Sequence, residues 1–297
     1  MQLPGWVEDL QDRFRPLKSN LFPQQVLLEL HDHQLLGQSY RNHRPGPLSI
    51  DAPLPALTCR GGMPLEKEPL GDLIGDLLVR DGLLDAYVMA VLPSEATDLR
   101  VIDWSRDERP EDLESALRQL DPPLRLRQPL ADCAIDFHPL PGRPNRMLMV
   151  AAPRELIDSW IEVFDMAGAQ LECLAPAQSC QLRALQPLLR MAPAGQLIAM
   201  VDPQSEENRM VLFQAGVPVF ERALPLDAAD FEAEFLRSVA FYRDQDAQAG
   251  ELRLLWLSSL PFREQLETSL GLDGELLDIQ PFGSLALKGL TDLEVSA

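Results

Sequence analysis

Apolar residues recur along this chain at two spacings, and the alternation between them predicts its elements. From Met147 to Ala151 runs a short apolar stretch bounded by Pro153, the pattern of a buried strand; Pro153 then stands where a first-turn proline does no harm. Ile157, Trp160, Ile161 and Phe164 repeat at helical spacing as one apolar stripe, with Glu155, Asp158, Glu162 and Asp165 on the other faces and Gly168 placed as the stop. A second strand from Ala169 to Leu174 and a second helix from Ala177 to about Gln186, with Leu182 and Leu185 inward, complete a strand-helix-strand-helix run.

The same reading extends in both directions. Residues 1–20 place Trp6, Val7, Leu10 and Phe14 on one helical face; Glu8, Asp9 and Asp12 weaken the cationic side that membrane-surface helices use, which favours docking on its own domain. Val26 to Leu30 and Gln34 to Tyr40 read as strands around the turn His31-Asp32-His33, followed by a proline-rich loop from Arg44 to Pro55. The His-Asp-His triplet raises a metal site, but two histidines two apart in a turn with no cysteine nearby fit polar turn residues better. Leu70, Leu73, Ile74, Leu77 and Leu78 predict a helix ended by Asp81-Gly82, and Ala86 to Leu92 a strand. Leu99 to Trp104, a helix opened by Pro110 with Leu113, Leu117 and Leu120 inward, and Ala134 to Leu140 form a small α/β insertion that Met147 to Leu174 would complete. Beyond Gly195, strands are expected at Gln196 to Val201, Asn208 to Phe213 and Gly216 to Leu224. A helix from about Ala228 to Arg243 follows, carrying Phe231, Phe235, Leu236, Val239 and Tyr242, then a strand at Leu252 to Leu257, a helix at Pro261 to Leu270 and a strand at Glu275 to Ile279.

The chain thus divides into an amphipathic segment (1–22), a first half (23–195) with an insertion at about 98–172, and a second half (196–297). Each half begins with a hairpin and continues through helix and strand. Such duplicated α/β halves with an insertion in the first are the pattern of the actin and sugar-kinase superfamily.

Charge narrows the functions. With 26 Lys plus Arg against 46 Asp plus Glu, the formal charge of −20 repels phosphate backbones and anionic headgroups, so nucleic acid is not an expected partner. Four cysteines without CxxC pairing fit a reduced cytosolic chain. No window approaches the roughly 18 apolar residues of a membrane span, and the N-terminus lacks a signal peptide's apolar core, so a cytoplasmic location is expected. GxSxG, P-loop, HExxH and GxGxxG motifs are all missing, so no enzyme activity is expected.

Several stretches add a more specific signal. MVAAPRELIDSWIEVFDMAGAQLECLAPAQSCQLRAL, CRGGMPLEKEPLGDLIGDLLVRDGLLDAYVMAVLP, FEAEFLRSVAFYRDQ and GSLALKGL (Gly283 to Leu290) resemble, in the same order, segments of the PilM family of type IV pilus assembly proteins. The resemblance implies an actin-like fold with an insertion of the bacterial division-protein kind. It also implies where a nucleotide would bind: two hairpins whose glycines admit phosphate, and acidic residues that order magnesium.

By that resemblance, the first hairpin G-x-D-I-G-[ST]-x-x-[VI]-K is replaced here by Leu27 for the first glycine, Glu29 for the aspartate, His31 for the second glycine and Leu36 for the lysine. The second hairpin, D-x-G, reads Asp202-Pro203-Gln204, and the adenosine-binding Gly-Gly becomes Ser259-Leu260 after Ser258. These changes remove phosphate contacts at both hairpins and the flat step for the base, so no ATP and no other cofactor or metal is expected.

The resemblance further implies a cytoplasmic scaffold of the type IV pilus platform. Its partners would be the short cytoplasmic tail of an inner-membrane PilN-type protein and other pilus assembly proteins, with self-association left open. Alternatives are the cytoplasmic actin-like part of a type II secretion platform, whose chains usually continue into a transmembrane helix where this one ends at Ala297, and an active actin-like ATPase or small-molecule kinase. The family's partner groove maps near Leu99, Ile102, Trp104, Leu148 and Val150. Trp104 has two open readings, partner anchor and filler of the insertion's own core.

Overall fold

The computed structural model describes residues 24–42, 44–104, 113–120, 124, 126–140, 145–193, 195–203, 208–246 and 249–291. The amphipathic segment 1–22 therefore lies outside the described residues. The first hairpin forms around the turn His31-Asp32-His33 as expected: β1 (Gln24–Leu30) runs antiparallel to β2 (Gln34–Arg41). In place of the expected proline-rich loop stands β3 (Arg44–Pro53), antiparallel to β2. Prolines 45, 47 and 53 cannot donate to a ladder, which an edge strand tolerates, and β3 is the sheet's edge. A ribbon of β4 (Cys59–Arg60) and β5 (Met63–Pro64) turns through Gly61 and Gly62. In α1 (Lys67–Arg80), Leu70, Ile74, Leu77 and Leu78 are buried as their spacing predicts, and Gly82 past its end has φ 68°. β6 (Tyr87–Leu92) lies parallel to β1.

The insertion comprises β7 (Asp98–Asp103), α2 (Leu113–Arg118), β8 (Cys133–Pro139) and β9 (Arg146–Pro153), with the strands antiparallel in the order β7-β9-β8. Pro110, expected to open α2, lies outside the described residues. The insertion stops at β9 and does not reach residue 172. The next helix, α3 (Arg154–Met166), packs with α1, and β10 (Gln170–Pro176) pairs with β6 in the main sheet. Close helix packing explains this. A Cβ on Gly71 of α1 would lie 2.7 Å from the Cβ of Met166, and one on Gly75 would lie 3.1 Å from the carbonyl oxygen of Ala167. The side of α3 turned to the core carries Leu156, Ser159, Trp160, Val163 and Phe164. Ile161, expected in that stripe, is 40% exposed, because it stands about 100° round the helix from Trp160, beyond the buried arc.

One face of the β10-β6-β1-β2-β3 sheet thus holds Val26, Leu28 and Leu30 against α1 and α3. After β10 comes α4 (Ala177–Met191), longer than expected and with Pro187 inside it.

The second sheet is built by β11 (Leu197–Pro203), β12 (Asn208–Gln214) and β13 (Val217–Leu224), an antiparallel meander. Next comes α5 (Ala228–Gln245), whose first amides, of Ala229 and Asp230, donate to Asp227. Phe231, Phe235, Val239 and Tyr242 of α5 are buried as expected, whereas Leu236, on the helix's outer side, is 46% exposed. β14 (Leu252–Trp256) lies parallel to β11, α6 (Arg263–Leu270) ends at Gly271 in the left-handed region, and β15 (Gly274–Leu276) lies parallel to β14. The order β13-β12-β11-β14-β15 repeats β3-β2-β1-β6-β10 with the same strand directions. The fold is internally duplicated.

The last described helix, α7 (Leu285–Leu290), changes the expected division. One compact unit runs to Ala184 and resumes at Pro281, and the other spans Leu185–Gln280, whereas the sequence pattern put everything after 195 in the second half. The cause is apolar: Ala286, Leu287 and Leu290 join Leu27, Met89, Val91, Ala177 and Cys180 in one cluster on the second face of the first sheet. Gly289 permits the approach, since a Cβ there would fall 1.8 Å from the carbonyl oxygen of Cys180.

Candidate functional site

Strand alternation sends Leu27 and Glu29 to the same face of β1, the face covered by α7. Leu27, standing where the resemblance puts a phosphate-admitting glycine, is 0% exposed and enclosed by Met89, Val91, Leu287 and Leu290. Glu29 is 6% exposed, with Oε1 3.6 Å from Nε2 of His31. Leu36 lies directly across the ladder from Glu29 and packs on the Leu27 cluster, so an isobutyl group occupies the place of the lysine. In the turn, the Asp32 carboxylate accepts the N–H groups of Gly61 and Gly62. Among the described residues no group of three or more His, Cys, Asp or Glu is placed to hold a metal ion.

The corresponding hairpin of the second unit is built differently. Asp202 lies across the ladder from Arg209, so both side chains leave the same face. Arg209 is 7% exposed; its Nε donates to Oε1 of Glu221 at 2.8 Å, and its Nη1 is buried with no hydrogen-bond partner. Gln204 lies outside the described residues. Asp202 follows Val201 and Ser258 stands two residues past its partner Trp256, so both lie at the same end of the neighbouring parallel strands β11 and β14. Ser258 and Ser259 are exposed, while Leu260 packs on the core around Phe231 and Trp256. Sequence reasoning missed Arg209. Its signal was a cation immediately before the apolar run Met210 to Phe213.

The five groove residues do not line one surface. Ile102 and Trp104 belong to the insertion's own core with Leu117, Cys133, Met149 and Ala151. Trp104 is 4% exposed and stacks on Phe137 with ring centroids 5.5 Å apart, so of its two readings the core filler is where it lies. Leu99, Leu148 and Val150 alternate to the opposite face of the three-stranded sheet and are also buried.

The four cysteines are free thiols. Burial, with the Asp32 carboxylate adding to it, pushes the Cys59 thiol up to about 12, and burial pushes Cys180 up to about 12. Thiols so placed stay protonated and are poor nucleophiles.

No family model matches the sequence, and no curated protein matches it. Solved structures do. The chain is similar to one in a PilM-PilN type IV pilus biogenesis complex over 92% of its own length and 99% of that chain, at 18% identity and a TM-score of 0.73. A Bacteroides thetaiotaomicron protein with an actin-like ATPase fold matches over 93% and 97%, at 9% identity and a TM-score of 0.58. The cytoplasmic domain of EpsL, an inner-membrane component of the Vibrio cholerae type II secretion system, matches over 92% and 95%, at 14% identity and a TM-score of 0.51. The chain has the actin-like fold.

Proposed function

We propose that this chain is a scaffold of a type IV pilus assembly platform. It works at the cytoplasmic face of the inner membrane, holds the cytoplasmic tail of a PilN-type partner, and neither binds nor hydrolyses ATP. The observation that carries the loss of ATP is the enclosure of Leu27 at 0% exposure, because a phosphate cannot approach backbone N–H groups through a packed leucine. The platform assignment is supported by a likeness that runs through almost the whole of the pilus protein and by the colinear sequence motifs. No helix among the described residues is long and apolar enough to cross a membrane, which fits attachment through a partner.

The tail site is to be sought beside the strands β7 and β9 that carry Leu99, Leu148 and Val150, whose own side chains are buried. Calorimetry with a synthetic cytoplasmic tail of the PilN-type protein from the same genome tests the partner. Saturable binding is expected, and a folded chain that takes up no tail would overturn the assignment. In the same titration Trp104→Ala is expected to lower the melting temperature while its folded fraction keeps its affinity. A second reading, the actin-like part of a type II secretion platform, is favoured by the likeness to EpsL, at the lower TM-score of 0.51. Selective binding of a secretion partner's tail would establish it.

A further inference from the structure

Between β4 and β5 the chain makes a small concavity of backbone N–H groups. Gly61 and Gly62 both have positive φ, 57° and 78°, and their consecutive amides point to one place. Successive amides in such a conformation form a nest with the partial charge to hold an oxyanion. The group held is the side chain of Asp32: Gly61 N–H donates to Oδ2 at 2.6 Å and Gly62 N–H to Oδ1 at 2.7 Å. Each carboxylate oxygen takes one amide, as a bound formate or phosphate would. The far side of the turn is fixed too, because the buried Trp160 donates from Nε1 to the Gly62 carbonyl at 2.9 Å. A Cβ on Gly62 would lie 2.7 Å from that of Ala96, so the cradle has no slack on that side.

We infer that the Gly61–Gly62 turn is an oxyanion-binding cradle which the chain fills with its own Asp32 carboxylate, latching the β1–β2 turn to the β4–β5 turn without any ligand. Its ligand class is the small planar or tetrahedral oxyanion, and Asp32 supplies it at an effective concentration no free anion matches. The latch stands independently of the pilus assignment.

Asp32→Ala tests it. Losing two charge-assisted hydrogen bonds is expected to lower the melting temperature by about 4 °C or more. Sodium formate should restore much of that loss relative to sodium chloride at equal ionic strength, and should leave the parent chain unaffected. Hydrogen exchange keeps the test open should the variant melt early. The Gly61 and Gly62 amides should be protected in the parent chain, exchange faster in Asp32→Ala, recover with formate, and behave in between in Asp32→Asn. Equal melting temperatures for parent and variant, or recovery no greater in formate than in chloride, would overturn the inference.

Discussion

The hairpins β1–β2 and β11–β12 hold the same place in two sheets of the same strand order, yet they accommodate their carboxylates in different ways. Glu29 looks across its ladder at Leu36, beside a cluster sealed by α7. Asp202 looks across at Arg209, a nearly buried cation anchored by Glu221. The first hairpin is packed over by apolar side chains, and the second holds a nearly buried cation. Asp202 is half-buried opposite a cation, whereas Glu29 is buried opposite a leucine with His31 3.6 Å away. The same hairpin position in a duplicated fold can therefore be filled by two unrelated chemistries.

Breaking the apolar side should have the largest effect. Leu27→Gly removes a fully enclosed side chain and adds backbone entropy to the unfolded state, for an expected loss of about 4 kcal/mol in urea unfolding. A loss below about 1 kcal/mol would mean that the cluster over β1 is not closed. On the charged side, Glu221→Ala leaves Arg209 buried without its acceptor and should cost about 2 kcal/mol, less than a fully buried pair because Glu221 is 23% exposed. Glu275→Ala, whose partner Arg253 is 35% exposed, should cost about 0.5 kcal/mol or less. Equal losses from the two variants would remove the distinction between a built-in cation and a surface pair.

The smallest effect lies in pH. Cys59 and Cys180 move from 9.0 to about 12 on folding, so between those values the folded chain keeps protons that the unfolded chain has released. Their contribution is complete below about pH 9 and is lost as pH rises from there toward 12. Urea midpoints should fall between pH 8 and pH 10, and less steeply in Cys180→Ala. An unchanged slope in that variant would place its titration elsewhere.

Much of this was legible in the residues. Period 3.6 located α1, α3 and α5 because each buries one side, and the hairpin strands were found as short apolar runs broken by polar turns, since β1 and β12 are buried on both faces. Where local signals compete with tertiary context, the pattern fails. Three prolines argued against β3, which exists because an edge strand needs fewer donors. Ile161 and Leu236 were assigned to the core by spacing but stand outside the buried arcs, since spacing alone does not fix where an arc ends. The return of α7 to the first sheet depends on contacts between Gly289 and Cys180, more than a hundred residues apart, which no window of sequence contains. At the candidate site, Leu27 and Leu36 were visible as departures from a motif. Arg209 was not, because its role comes from cross-strand register with Asp202 and from Glu221 on a third strand. The Asp32 latch escaped for the same reason: its amides come from a turn far along the chain.

The central claim, an actin-like frame that has exchanged its nucleotide site for packing and internal charge, is tested most directly by titrating the full chain with labelled ATP and magnesium. The account predicts no saturable binding up to millimolar nucleotide. Saturable binding in the micromolar range would contradict it, and would mean that Leu27 and α7 move aside to admit phosphate.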